Sequence, residues 1–354
     1  LQSDERYRKH RMEKETMIQF TDEDEIEAAF QYYRKTGFPY PNLQRHEIIH
    51  IFRELQKAKC KIVQPKRSLP GLNFSISIIG MQSKGQLLAN YFHPHIFASR
   101  AVGMRSPVQS YHIDTSLRRA ISMTLQKCGD IQPLQVLQAL QWVWYTQPCS
   151  NFRPVAAKAV YNYLGGSDVL DMSAGYGGRL LGFLASSCKG TYTGVDPSRL
   201  TYQGNKEIAR TFEVQNRVCL ILSAFEDIPV RDLPKVDIAF TSTPYFGKEI
   251  YDESEEGKSR QSRERYPTYN EWRRRFLSPL ISHSIQCLRK HGSLALNIAN
   301  VLIKSIRYPL IKDTIKIADN CGFSLVKRLE LFFPAYGKGL KHKRIEPILI
   351  FRRT

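Results

Sequence analysis

The stretch "SDVLDMSAGYGGRLLGFLAS", residues 167–186, decides the fold. Its apolar run ends in Asp171, passes through a turn holding Gly175, Gly177 and Gly178, and resumes with helical spacing, so it reads as strand, glycine turn and helix. Glycines there let the backbone turn tightly and bring main-chain N–H groups close to a ligand, where a Cβ would obstruct the approach. About twenty-five residues on, "TGVDPS" ends another apolar run in Asp196, at the usual position of an acid that grips ribose hydroxyls. Short apolar runs then alternate with helical segments through "RVCLILSA", "VDIAFTST" and "GSLALNIA". The last two runs, "LVKRLELFF" and "IEPILIF", are close enough in sequence to form an antiparallel hairpin. The expected fold class is α/β, a doubly wound and largely parallel sheet that binds its ligand beyond the carboxyl ends of the strands.

Upstream the rhythm is different. "TDEDEIEAAFQYYRK" reads as a helix with acids in its first turn, and "QRHEIIHIFRELQKAK" carries a single apolar stripe. "GLNFSISIIG" is a possible strand, and "SLRRAISMTLQKC" and "PLQVLQALQWVWYT" are further helical patterns. This divides the chain into a mostly helical domain or extension over residues 1–149 and an α/β domain over 150–354.

Of the 354 residues, 42% are hydrophobic, enough for one large core or two moderate ones, which disfavours general disorder. Lys and Arg number 52 against 33 acids, a formal charge of +19, which points to a polyanionic partner. The 7 cysteines are widely spaced with no C-x-x-C pair, disfavouring a zinc site or a disulfide framework, and no metal is expected. His93 and His95 in "YFHPHIF" read as packing or hydrogen-bonding histidines. No run approaches a membrane span, and no signal-peptide pattern is present, so the expected setting is intracellular, cytoplasmic or at the nucleoid.

"VLDMSAGYGG" with "GVDPS" resembles motifs I and II of the class I S-adenosylmethionine-dependent methyltransferases, and "NFRPVAAKAVYNYL" resembles motif X of their DNA amino-methyltransferase branch. The resemblance implies a Rossmann-like class I methyltransferase sheet with S-adenosyl-L-methionine as cofactor. Phe152, Arg153, Pro154, Asp171, Ser173, Ala174, Gly175, Gly177 and Gly178 would hold its methionine part, Asp171 as acceptor for the ammonium group. Asp196 and Pro197 would hold the ribose, and Ser223, Ala224 and Phe225 the adenine ring.

"TSTPYF", ending the fourth apolar run, resembles motif IV of the enzymes that methylate exocyclic amino groups of adenine or cytosine. An aromatic amine is a weak nucleophile because its lone pair is delocalised, so the site must draw the nitrogen toward tetrahedral geometry and hold it in line with the methyl donor. Ser242 would accept one amino hydrogen through its side chain and Thr243 the other through its carbonyl. Pro244 is the rigid element, and Tyr245, assisted by Phe246, would stack on a base extruded from the duplex. The motif's first proline is Thr243 here, so the turn loses one fixed φ and gains an N–H while keeping the carbonyl. The serine form leans toward cytosine N4, with adenine N6 left open.

Lys258, Arg260, Arg263 and Arg265 in the loop after this turn, which suits a closing flap, are candidates for phosphate contacts, as are Lys338, Lys341, Lys343 and Arg344 near the C-terminus. "GFPYPNLQRHEIIHIF" and "YPTYNEWRRRFLSPLI" are similar to a group of phage and microbial DNA methylases. The implied partner is nucleic acid, DNA ahead of RNA. Two alternatives stand beside it: an RNA base methyltransferase, and a nucleic-acid-binding module impaired in catalysis by Thr243.

Overall fold

The alternating apolar runs of residues 167–353 come together as one sheet. The computed structural model describes residues 22–60, 62–63, 75–80, 82–333 and 344–354. Its strands are β1 (Ile62–Val63), β2 (Ser75–Gly80), β3 (Arg100–Ala101), β4 (Val169–Asp171), β5 (Tyr192–Asp196), β6 (Val218–Leu222), β7 (Val236–Ser242), β8 (Glu249–Ile250), β9 (Leu288–Asn297), β10 (Val301–Ile303), β11 (Ile306–Tyr308), β12 (Phe323–Phe333) and β13 (Arg344–Arg353). Nine form the main sheet, in the order β1-β2-β12-β13-β9-β7-β4-β5-β6.

Strands β6, β5, β4, β7 and β9 pair in parallel, and β13 enters antiparallel between β9 and β12, making the expected C-terminal hairpin. This is a Rossmann-like, doubly wound α/β arrangement. The direction of winding reverses between β4 and β7, and a crevice opens at such a switch point.

Side chains alternate across the sheet. Ile238, Phe240, Ile348 and Ile350 enter one apolar core, and Ala239, Leu349 and Phe351 the other. The first core is completed by the helices Pro154–Leu164 and Gly178–Leu184, the second by Ser278–Cys287 and Leu310–Asn320. Strands covered on both faces read as nearly continuous apolar runs.

The chain divides into two compact units, but not at residue 150. One comprises the residues up to Tyr40 with Arg105–Gln147; the other comprises Pro41–Met104 with Pro148–Thr354. The departure from the linear boundary has a packing cause. β2 extends the sheet in parallel beside β12, and Leu43, Ile48, Leu55, Leu88 and Phe92 bury their side chains in the first core of the sheet. The described residues between 41 and 104 therefore belong physically to the α/β unit.

The other unit is helical, as expected: Asp22–Thr36, Pro107–Tyr111, Asp114–Cys128 and Pro133–Leu140 close a core around Phe30, Leu117, Ile121, Val136 and Leu140. The helix expected to run through "PLQVLQALQWVWYT" ends at Leu140. Residues 142–145 leave the helix, Tyr145 with φ 59.

Candidate active site

The crevice beyond the carboxyl ends of the parallel strands holds a cavity of about 340 Å³. It is lined by Met172, Ser173 and Gly175 after β4, Asp196 and Pro197 after β5, Ala224 and Phe225 after β6, and Ser242, Thr243, Pro244 and Tyr245 after β7. The glycine turn and the hydroxyl-aromatic turn thus share one space. They are joined directly: the Thr241 hydroxyl, one residue before Ser242, donates to Asp171 Oδ1 at 2.8 Å and accepts from the Ser173 N–H at 3.1 Å.

The glycine turn is shaped by contacts a side chain would break. Gly175 and Gly177 have φ of 58 and 74. A Cβ on Gly178 would stand 1.8 Å from the Phe152 carbonyl oxygen, so only glycine lets this helix start against the segment before Pro154. Pro154 begins the helix Pro154–Leu164, with Arg153 at its N-cap. Among the expected cofactor residues, Phe152 lines the cavity, whereas Arg153, Pro154, Ala174, Gly177, Gly178 and Ser223 do not. They shape the loops behind it; the Ser223 N–H, for instance, donates to the Asp196 carbonyl at 3.2 Å.

Asp171 departs from its expected role. It is wholly buried and does not line the cavity, and Arg179 donates to both of its oxygens, at 2.7 and 3.2 Å. Tyr192 donates to it as well, at 2.7 Å, and Arg179 also bonds the Ser173 carbonyl. With these donors around it, Asp171 braces the turn instead of offering an acceptor to an ammonium group.

Asp196 does face the cavity. Its oxygens accept from the N–H groups of Gly175 and Ser198, both at 2.9 Å, so the second strand end grips the glycine turn. Burial pushes its carboxyl up to about 6, opposed by those two N–H bonds.

In the β7 turn, Ser242 Oγ donates to Asn297 Oδ1 at 2.8 Å, and Asn297 Nδ2 donates to the Pro347 carbonyl at 3.0 Å. Asn297 is therefore held with its oxygen toward Ser242, whose single hydrogen is spent there, leaving the Ser242 oxygen as an acceptor. The Thr243 N–H donates to the Asn297 carbonyl at 3.3 Å, and the Thr243 hydroxyl is buried without a partner among the described residues. Tyr245 lines the cavity with the Lys248 ammonium 4.8 Å from its ring centroid. Phe246 does not line it; its ring packs among Tyr269, Trp272 and Tyr308 at 5.3, 6.0 and 5.0 Å.

The segment after this turn also lines the cavity. Tyr251, Asp252, Glu256, Arg260 and Gln261 line it, and the cations expected to meet phosphate are held by acids of the protein. Lys258 pairs with Glu255, Arg260 with Glu256, Arg263 with Glu264, and Arg265 with Glu226 and both oxygens of Asp227. Arg199 pairs with Glu256, and Arg260 donates to the Pro197 carbonyl. The segment is thus tied to the loops after β5 and β6, which accounts for its structured helices at Glu255–Arg260 and Ser262–Arg265 where a loop was expected. Lys338, Lys341 and Lys343 lie outside the described residues, and Arg344 begins β13.

The histidines read as packing or hydrogen-bonding groups lie at the cavity wall and behind it. His95 lines the cavity, with its ring 5.2 Å from that of Tyr176 and Nε2 3.2 Å from the Thr201 hydroxyl. His93, wholly buried, donates through Nδ1 to the Ala89 carbonyl, and a Cβ on Gly177 or Gly204 would fall 2.6 Å from its ring. Burial lowers both histidines, to about 3 and about 4 for His93 and His95, so they are neutral packing groups at physiological pH. The signal for Asn297 was a polar side chain closing the apolar run "SLALN" beside the β7 turn.

Among the described residues no group of three or more His, Cys, Asp or Glu is placed to hold a metal ion, and no helix is long and apolar enough to cross a membrane. The lining includes six carboxylates (Asp196, Glu226, Glu249, Asp252, Glu256 and Glu346) against four Lys or Arg cations (Arg179, Arg199, Lys248 and Arg260). That excess favours a ligand carrying positive charge.

No family model matches the chain, and no curated protein does. Solved structures similar to it include an S-adenosylmethionine-dependent O-methyltransferase from Thermotoga maritima, 12% identical over 58% of this chain and 67% of that one, with a TM-score of 0.38. A precorrin-6y C5,15-methyltransferase from Geobacter metallireducens is 11% identical over 57% of this chain and 87% of that one, TM-score 0.38. The magnesium protoporphyrin IX methyltransferase of Synechocystis PCC 6803 is 16% identical over 67% and 84%, TM-score 0.35. Likeness at this level reaches no further than general architecture and assigns neither a methyl acceptor nor a site residue.

Proposed function

We propose that this protein transfers a methyl group from S-adenosylmethionine to an exocyclic amino group of a DNA base, cytosine N4 or adenine N6. The observation that carries the reading is the shared cavity: Gly175 and Asp196 line it on one side and Ser242 through Tyr245 on the other, at the switch point of a doubly wound sheet.

When bound, S-adenosylmethionine supplies a methyl group on a positively charged sulfur, and the acid-rich lining suits its charge. Asp196 would accept hydrogen bonds from its ribose hydroxyls, Ser173 and Gly175 would hold its methionine part, and Ala224 and Phe225 its adenine. Asp171, whose oxygens are taken by Arg179, Tyr192 and Thr241, holds the turn and has no place among the ligand contacts.

The acceptor side follows from the β7 turn. Ser242, its hydrogen committed to Asn297, accepts from the amino group, and the Thr243 carbonyl accepts the second hydrogen. Pro244 keeps this pair rigid, and Tyr245 stacks on the extruded base. The segment after the β7 turn is held beside the cavity by its ties to Glu226, Asp227 and Pro197.

Incubation with radiolabelled S-adenosylmethionine and unmodified DNA, followed by nucleoside analysis, tests this. Label on N4-methylcytosine or N6-methyladenine is expected. Label in structured RNA but not in DNA would replace the acceptor class, and cofactor binding with label in neither would favour a binding module.

A further inference from the structure

The helical unit carries a surface that methyl transfer leaves unused. After the helix Pro133–Leu140, three large aromatic side chains stand in solvent: Trp142 is 58% exposed, Trp144 68% and Tyr145 71%. Val143 between them is buried in the unit's core, which anchors the segment. Isolated exposed rings are common, but three within four residues concentrate aromatic surface on one short segment.

Each ring has its own cation. Lys127 Nζ lies 4.6 Å from the Trp142 ring centroid, the Arg119 guanidinium 4.4 Å from that of Trp144, and the Arg105 guanidinium 5.9 Å from that of Tyr145. Among the described residues none of these three cations forms an ion pair, whereas Arg34 and Arg118 of the same unit are tied to Asp114 and Glu27. The segment is also held in a rarely adopted backbone state. Tyr145 has φ 59, and that geometry is kept by the Arg105 N–H donating to the Tyr145 carbonyl at 2.7 Å and the Gln147 N–H donating to the Arg105 carbonyl at 3.0 Å. The Arg105 side chain donates to the Trp144 carbonyl at 2.8 Å. These bonds hold the segment in that state with the Tyr145 ring in solvent.

We propose that Trp142, Trp144 and Tyr145 with Lys127, Arg119 and Arg105 form a binding surface for single-stranded nucleic acid. Successive bases stack on the rings while the adjoining cations meet the phosphates between them. A flat ring and an unpaired cation, repeated three times, match a polymer whose own repeat is a flat base and a phosphate. A protein partner does not call for a cation beside every ring, and the salt dependence and strand preference of binding separate the two. The inference goes beyond the assignment of the cavity and does not depend on methyl transfer.

The test uses the whole chain and a fluorescently labelled oligothymidylate of about twenty nucleotides at low salt, read by anisotropy. Binding that weakens as salt rises is expected, with about a tenfold loss in Trp144→Leu and in Arg119→Gln, and recovery in Trp144→Phe, which keeps a stacking ring. Trp142 and Trp144 are exposed and the third tryptophan, Trp272, is wholly buried, so the strand should also quench most of the solvent-exposed emission. An oligouridylate bound as well as the DNA strand agrees with stacking, which tolerates either sugar. Unchanged affinity in the ring variants, preference for duplex over single strand, or equal binding of polyglutamate would each overturn the proposal. S-adenosylmethionine affinity measured in the same variants should stay at the wild-type value, which separates a failure here from a failure of the cavity assignment.

Discussion

Ser242 and Asn297 face each other where β7 and β9 end, joined by a hydrogen bond of 2.8 Å. The bond determines which way the hydroxyl hydrogen points, and so whether the cavity meets a donor or an acceptor. Replacing Asn297 with Leu frees that hydrogen to turn toward the base, where it opposes the amino group. Turnover should fall about tenfold, the equivalent of one ordinary hydrogen bond, with cofactor affinity nearly unchanged; Ser242→Ala should fall further. Single-turnover kinetics beside calorimetric cofactor titration separates the two quantities. A variant that loses cofactor binding in step with turnover would show that Asn297 merely supports the fold.

Asp171 and Arg179 form a buried ion pair, with side chains 0% and 5% exposed. Arg179→Met leaves a charged carboxylate under the glycine turn with only hydroxyl and N–H donors. Breaking one partner of such a pair is expected to destabilise by about 3–5 kcal/mol. The double variant Asp171→Asn with Arg179→Met should recover part of that loss, since no net charge then remains buried at the site. Urea unfolding of the two variants measures the difference. Equal destabilisation of single and double variants would mean that the hydrogen bonds to Tyr192 and Thr241, and not the charge, dominate.

Asp196 predicts a pH dependence with two opposite signs. Burial raises its carboxyl from the ordinary 3.8 to about 6 in the folded chain. The folded state therefore holds the proton more tightly than the unfolded state, and at this position stability without ligand falls as pH rises through the window from about 4 to about 6. Ligand binding runs the other way. Hydroxyl donors require the ionised carboxylate, so S-adenosylmethionine should bind more tightly as pH rises through about 6 and level off above 7. Calorimetric titration at pH 5 and pH 8 checks the direction, and Asp196→Asn should weaken binding and flatten the profile. A steep profile that persists in Asp196→Asn would assign the titration to another group.

Much of the fold was legible because its strands are buried on both faces, and glycine, Asp171 and Asp196 punctuate them at the ends where ligands bind. The role of Asp171 was not legible. The same acid can brace a turn or face a ligand, and the choice is made by Arg179, eight residues on and invisible to strand-end reasoning. The partners of the loop cations were hidden for a similar reason. A run of Ser, Arg and Glu looks like a solvated flap, but Arg265 meets Glu226 and Asp227 only once the segment folds back across the loop after β6. The grouping of residues 41–104 with the sheet unit was not legible, because the placement of β2 beside β12 is a contact across some 250 residues of sequence, which local periodicity does not record.

Thr243 stands where the resemblance places a proline, and its two polar groups make separate predictions. Its hydroxyl is buried and has no partner among the described residues, while its N–H donates to the Asn297 carbonyl. Thr243→Val removes the first and keeps the second. The fold should gain up to about 1 kcal/mol, because an unmet buried hydroxyl is a burden. If the hydroxyl finds its partner on a bound base, the same variant should lose turnover as it gains stability. Thr243→Pro removes both groups and fixes φ in the turn. It gives up the bond to Asn297, so its stability should fall below that of the Val variant, yet its carbonyl is held more firmly toward the acceptor. Higher turnover in Thr243→Pro than in the natural chain would identify Thr243 as a brake on catalysis. Equal turnover in the two would mean that the carbonyl is already held in place by Asn297, and that the strand pairing of β7 with β9 supplies the rigidity a second proline would bring. Melting temperature and single-turnover rate, measured on the same two variants, distinguish these outcomes.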